Sequence, residues 1–394
     1  MGELYFHKVR FWESDRSIMK KRILAVVLTV MTAMSVMACG DSASEGISAH
    51  GFESIPDGAH PNDLGQSQQE EEPAEEEKEA YVLPDDMYYS ELTGEPISKD
   101  IEDQRPVAIM VDNDQRALPH FGISDCDVMY ELMNSTANNR ITRLMCLFKD
   151  WGSIEKVGSI RSIRPTNILL GQEWDAVLCH DGGPFYIDPY MGRYPYHFSG
   201  TFSRVKNGKP TEFTEFCLSG DLDKNFSNSS YSRNYDDRKQ SGDHFQFAPY
   251  QGEEVMLDDA ENSVDAANIS LPFYNTSSQL KYNPDTNTYD YYEFGSVCKD
   301  GGNDKTVTFK NVLIQDCTFT QYDEHGYLIY NCIAEVQPGY YCTNGKAIPI
   351  TWSKTSEGGI TKYYDGNGKE ITLNPGKTYI TLIPSDTWDS VTLN

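Results

Sequence analysis

Between residues 40 and 103 the chain carries 19 acidic residues against 2 basic ones, and residues 40–80 hold few apolar side chains. Such a stretch buries too little apolar surface to repay the entropy of ordering it, and its charges repel one another. It is therefore predicted to be a disordered acidic tether. Folding is confined to residues 104–394, long enough for two domains. At roughly 5–6 Å × √n, a tether of about 60 residues reaches some ~45 Å, and further when charged.

What precedes the tether says where it is fixed. Met19, Lys20, Lys21 and Arg22 form a basic start, residues 23–33 are an apolar run, and Val36, Met37 and Ala38 lead into Cys39. The run is too short for a membrane span, which needs ~20 apolar residues. Basic start, short apolar core and a small residue before the cut make an export signal. A cysteine at the cut marks the lipoprotein version, whose thiol takes diacylglycerol and whose freed amine takes a further acyl chain such as palmitate. Two or three chains suffice for stable anchoring where one does not. Residues 1–38 are thus read as an upstream extension and signal peptide, and residues 39–103 as the lipidated Cys39 with its tether. The expected location is the extracytoplasmic face of a bacterial cell membrane.

The net charge of −27 argues against nucleic acid and against docking to anionic polymers. Eight cysteines follow Cys39, at positions 126, 146, 179, 217, 298, 317, 332 and 342. Export permits disulfides, but Cys146 and Cys179 sit within apolar, strand-like runs, so buried free thiols are expected. No CxxC pair points to a structural zinc, and no cofactor is expected.

Short apolar runs at residues 106–112, 128–132, 143–148, 157–160 and 176–180 read as strands, and Pro165 opens a helix to about Glu173. This predicts an α/β domain with a mixed sheet over residues 104–243, its later part in loops. Over residues 244–394, β-branched and aromatic runs alternate with turn clusters, as in a mostly antiparallel β domain. The fold class is α+β.

Several runs in this order carry a family resemblance: Arg-Pro-Val-Ala-Ile-Met-Val-Asp-Asn at 105–113, residues 125–131, Ile-Thr-Arg at 141–143, Val-Gly-Ser-Ile-Arg-Ser-Ile-Arg at 157–164, and Asp-Ala-Val-Leu-Cys-His at 175–180 with Gly182 and Gly183. The second half adds Lys-Asn-Val-Leu-Ile-Gln at 310–315, Thr-Trp-Ser-Lys at 351–354, residues 365–371, and Leu-Asn-Pro-Gly-Lys-Thr-Tyr-Ile at 373–380. Together they resemble the YerB-like lipoproteins of Firmicutes, two-domain envelope proteins defined by a domain of unknown function. The resemblance implies the two-domain layout, and it singles out Asn311, Trp352, Lys354, Asn374 and Gly376 as a C-terminal motif.

Candidate ligand residues fall at strand ends. Arg161 and Arg164 bracket the entry into the Pro165 helix, where guanidiniums beside a helix N-terminus make an anion site. Asp112, Asn113, Glu131 and Arg143 come from neighbouring strand ends and are expected to line the same edge, as ligands or as an ion-pair network. His180 is either an acid/base or a satisfied structural histidine, and Gly182 and Gly183 allow close approach to the backbone. His120, His197 and His244 lack metal-ligand spacing, so no metal is expected. The serine-hydrolase elbow, the phosphate-binding lysine loop and the dinucleotide fingerprint are missing. Clusters at residues 186–196, 231–235, 289–292 and 340–341 make tyrosine the abundant aromatic, suited to ordinary packing or to stacking on a sugar or partner.

The sequence thus favours a non-catalytic envelope or cell-wall accessory module that binds a protein or glycan. The alternative is a hydrolase of wall or extracellular material, with Asp112, Glu131 or His180 as acid/base and Arg161 with Arg164 holding an anionic group.

Overall fold

In a computed structural model of the protein, residues 81–235 and 243–394 are described. Cys39, the export signal and residues 39–80 of the expected tether lie outside them. Nine strands form most of one mixed sheet: β1 (Val107–Asp112), β2 (Val128–Met133), β3 (Thr142–Phe148), β4 (Val177–His180), β5 (His197–Ser199), β6 (Asn311–Cys317), β7 (Ala334–Thr343), β8 (Lys346–Lys354) and β9 (Thr378–Pro384). From the β8 edge the order is β8-β7-β6-β9-β2-β3-β1-β4-β5, with Val264–Asp265 beyond β8 and Lys362–Tyr364 also pairing with it.

The sheet crosses the boundary expected near residue 243. β9, from the end of the chain, runs parallel to β6 on one side and to β2 on the other. Residues 104–243 and 244–394 therefore contribute strands to a single sheet. The antiparallel pattern expected for the second region holds for β6, β7 and β8 but not for β9.

Alternation along the central strands gives the sheet two buried faces. Ile109, Met129, Leu144, Cys146, Tyr379 and Ile383 share one face with Ile269, Leu280, Tyr289, Tyr291 and Phe309. These partners belong to a second, six-stranded sheet that includes Asn268–Ser270, Gln279–Asn283, Thr288–Glu293 and Thr308–Phe309. Ala108, Met110, Tyr130, Leu147 and Ile380 share the other face with Ile168, Leu169 and Trp174. Helix α1 (Pro165–Glu173) supplies the first two of these, with proline at its first turn as the sequence predicts. It lies so close to β4 that a Cβ on Gly171 would come within 2.3 Å of the Leu178 side chain.

Residues 81–103, expected to belong to the disordered tether, are folded. Within residues 81–103, Met87–Tyr89 and Pro96–Ser98 pair as a hairpin, Leu92 is fully buried, and Glu91 pairs with the Lys149 ammonium at 2.6 Å. Averaging charge over a long window hid these contacts, which need only a few side chains. Among the described residues, no helix is long and apolar enough to cross a membrane.

All eight described cysteines are buried and free. Burial pushes the Cys146 and Cys179 thiols well above their ordinary range, which suppresses the reactive thiolate. A thiol-reactive disulfide reagent is expected to modify none of the eight in the native protein and all of them in denaturant. Rapid labelling of any one under native conditions would contradict this packing.

Candidate functional site

Strand register decides which of the expected residues meet. Asp112 on β1 lies opposite Arg143 on β3, and Arg143 lies opposite Leu132 on β2. Glu131, one residue earlier on β2, therefore points to the other face of the sheet. The edge on which Asp112, Glu131 and Arg143 were expected to converge is in fact two sites, one per face.

Glu131 is sealed. Its Oε1 accepts hydrogen bonds from Asn113 Nδ2 at 3.2 Å, Thr142 Oγ1 at 2.9 Å, Thr276 Oγ1 at 3.2 Å and Ser278 Oγ at 2.8 Å. Its Oε2 accepts from Tyr291 at 2.9 Å and Tyr379 at 2.6 Å. Burial raises the carboxyl pKa, and the hydroxyl donors oppose that rise. The donors come from β1, β3 and β9, from the loop at Thr276 and from both strands of the Gln279–Glu293 hairpin region, so this carboxylate ties the two sequence regions together. Asn113 belongs to the same knot. Thr276 and Ser278 carry no motif that marks them in the sequence, whereas Tyr379 falls in the 373–380 run and Tyr291 in the 289–292 tyrosine cluster.

On the opposite face, Arg161 Nε lies 2.9 Å from Asp112 Oδ2, and Arg143 Nη2 lies 3.7 Å from Asp112 Oδ1. Arg161 also reaches Glu212, at 3.2 Å. The loop carrying Arg161 is fixed by backbone bonds to the end of β1: Asp112 N–H donates to the Ser159 carbonyl and Arg161 N–H to that of Met110. Arg164 caps α1 under the Tyr327 ring, with its guanidinium 4.9 Å from the ring centroid. Asp112, Arg143, Arg161 and Arg164 thus come together, without Glu131 and Asn113, as a partly paired arginine cluster.

His180 is a neutral structural histidine. Its Nδ1 lies 2.8 Å from the Gly182 carbonyl and its Nε2 lies 3.0 Å from His197 Nδ1. Burial, with His197 alongside, pushes its pKa down to about 4. Gly182 has φ +68°, and Gly183 is packed so that a Cβ would meet Ile187 at 2.6 Å; both shape the turn.

The C-terminal motif holds backbone in place. Asn311 Nδ2 donates to the Asn374 carbonyl, and Tyr341 donates to Asn311 Oδ1. Asn374 in turn donates to Thr343 and accepts from Val255 N–H. Gly376 has φ +137°, where a Cβ would press on Lys310. Trp352 donates to the Pro338 carbonyl, and the Lys354 ammonium pairs with Glu173 at 3.1 Å, both groups buried. Glu173, which also accepts from Tyr130 and Thr361, is the counterpart of Glu131 on the second face.

Sequence reasoning missed one acidic pair. Arg204 Nη2 lies 2.7 Å from both Asp181 Oδ2 and Glu215 Oε2. Burial and the neighbouring Asp181 push Glu215 up to about 7. The two carboxylates are far apart in sequence, and they meet one arginine because Arg204 and Glu215 face each other on the paired strands Ser203–Arg204 and Glu215–Leu218. Among the described residues no His, Cys, Asp and Glu side chains group to hold a metal. A hollow of about 490 Å³ is lined by acidic side chains such as Asp125, Asp150 and Asp300 and shares no lining residue with the arginine cluster.

An aromatic group lies at the surface. Phe185, 71% exposed, has its ring 4.0 Å from that of Tyr186, which stacks on Tyr322 at 4.3 Å with 10° between the planes. The sequence clusters at residues 289–292 and 340–341 instead place Tyr289, Tyr291 and Tyr341 in the core.

Residues 92–232 match the family model described as the N-terminal domain of a protein of unknown function (DUF3048), and residues 269–380 match its C-terminal domain. The protein of Bacillus subtilis (strain 168) named "Putative lipoprotein YerB" is 24% identical over 305 residues, covering 74% of this chain and 85% of its own length. The crystal structure of YerB protein from Bacillus subtilis superposes with a TM-score of 0.65 at 20% identity, covering 78% of this chain and 99% of that one. This likeness shows a shared fold.

Removing the Glu131 carboxylate strands several buried donors at once. Glu131→Ala is expected to cost about 3 kcal/mol or more in urea unfolding. Glu212→Ala, on the exposed side of Arg161, is expected to cost under about 1 kcal/mol. Equal costs would show that the knot around Glu131 does not hold the sheets together.

Proposed function

The chain belongs to the DUF3048 family, and from that footing we propose that it is a lipid-anchored extracytoplasmic protein that serves as a non-catalytic binding module of the cell envelope. Cys39 with its preceding signal supports the anchor, as does the name of the Bacillus subtilis relative. The observation that carries the binding role is that the groups a hydrolase would draw on are already engaged. Glu131 is enclosed by six donor groups, Asp112 faces Arg161 and Arg143, and His180 is held neutral against Gly182 and His197. The exposed Phe185, backed by the half-buried, mutually stacked Tyr186 and Tyr322, offers a rigid aromatic face to a protein or glycan partner.

A second reading, a hydrolase of wall or extracellular material, has one observation in its favour. Glu215, near neutrality beside Asp181 and Arg204, is suited to proton transfer.

The anchor is tested by metabolic labelling with a palmitate analogue. The wild-type protein is expected to take the label and sediment with membranes, and Cys39→Ser to do neither. Labelling of the variant would refute lipidation at Cys39. For the binding role, crosslinked membranes and purified wall fragments are probed with the wild type and with a Phe185→Ala/Tyr186→Ala variant. Capture of an envelope protein or of wall fragments by the wild type, lost in the variant, is expected. Capture of neither, together with wall degradation that Glu215→Gln abolishes, would replace this reading with the hydrolase.

A further inference from the structure

The polar end of the sheet holds more buried positive charge than its carboxylates balance. Arg143 is 4% exposed, and its Nε and Nη1 have no hydrogen-bond partner. Arg164 is 9% exposed; its Nη1 donates to the Ile163 carbonyl, and its Nε has no partner. Asn167, in the first turn of α1, leaves its Nδ2 buried and unmatched as well. Asp112 sits closer to Arg161 than to Arg143, at 2.9 Å against 3.7 Å, so Arg143 gets little from it. Burial, and then Arg143 beside it, pull the Arg164 pKa down to about 9.

Arg143, Arg164, Asn167, Thr166 and Asn134 line one cavity of about 10 Å³, closed by Leu132, Met133 and Leu328. That is room for one water-sized occupant. A water accepts two hydrogen bonds and must itself donate two, and the unmatched side-chain acceptor here is Asn134 Oδ1 alone. An anion accepts from every donor and also supplies the missing negative charge, which two buried guanidiniums require. A tetrahedral oxyanion is too large for the space.

We infer that this cavity binds a single monovalent anion of halide size, held by Arg143 Nε and Nη1, Arg164 Nε and Asn167 Nδ2 at the N-terminal end of α1. The ion's place is independent of what the surface aromatics bind. It makes halide a structural ligand, joining β3 to the helix that covers the sheet.

Two measurements on the full-length protein test it. Crystals soaked in sodium bromide are expected to show an anomalous scattering peak between Arg143 and Arg164. In thermal unfolding at constant ionic strength, Tm is expected to rise as chloride or bromide replaces gluconate, because a ligand of the native state stabilises it. Arg143→Met and Asn167→Ala are expected to flatten that dependence. Should Arg143→Met fail to fold, Asn167→Ala and the wild-type bromide peak carry the test. No peak in the cavity, or a Tm that is the same in halide and gluconate, would overturn the site. Bromide found only on the surface would mean an adventitious ion only.

Discussion

Glu131 stands on β2 at the seam where strands from the two ends of the chain meet, and the hydroxyls converging on it come from both. A charged group is costly to bury, and what makes this burial tolerable is the number of donors fixed around it. Thr142 arrives from the neighbouring antiparallel strand β3, Asn113 from just past the end of β1 beyond it, Tyr379 from the parallel strand β9, and Thr276, Ser278 and Tyr291 from the region stacked above. Each of those elements must be in register for the network to close. On the opposite face, Glu173 does the same for α1 and β8 through Tyr130, Thr361 and Lys354. The two regions that look like separate domains along the chain are thus bound through polar contacts on both sides of one sheet.

Much of the local structure was legible because it rests on short-range physics. Pro165 marks the start of α1, and unbroken apolar runs mark β1 to β4, since a strand covered on both faces has no polar side. Neighbour relations were less legible. Alternation says that Thr142 and Arg143 point opposite ways, yet nothing local says that Arg143 faces Asp112 or that Thr381 lies opposite Glu131. Those facts depend on register between segments distant in sequence. The arginine cluster was foreseen because Arg161 and Arg164 lie in one loop. The Asp181–Arg204–Glu215 group was not, because it depends on the pairing of Ser203–Arg204 with Glu215–Leu218 and on the turn at Asp181 meeting them.

The same packing bears on function. The carboxylates of Glu131 and Asp112 face buried partners, while outside the arginine cluster Phe185 stands clear of the core.

The position of β9 has a consequence for how the chain reaches this state. A strand that belongs to the last twentieth of the sequence occupies the middle of the sheet, between β6 and β2. Until it arrives, Val128–Met133 is a bare sheet edge with unpaired backbone groups. A chain made N-terminus first passes through a state with that gap open, and contacts this distant in sequence form slowly. Completion of the fold must therefore wait for release of the C-terminus, and chains truncated before residue 378 present an adhesive strand to their neighbours.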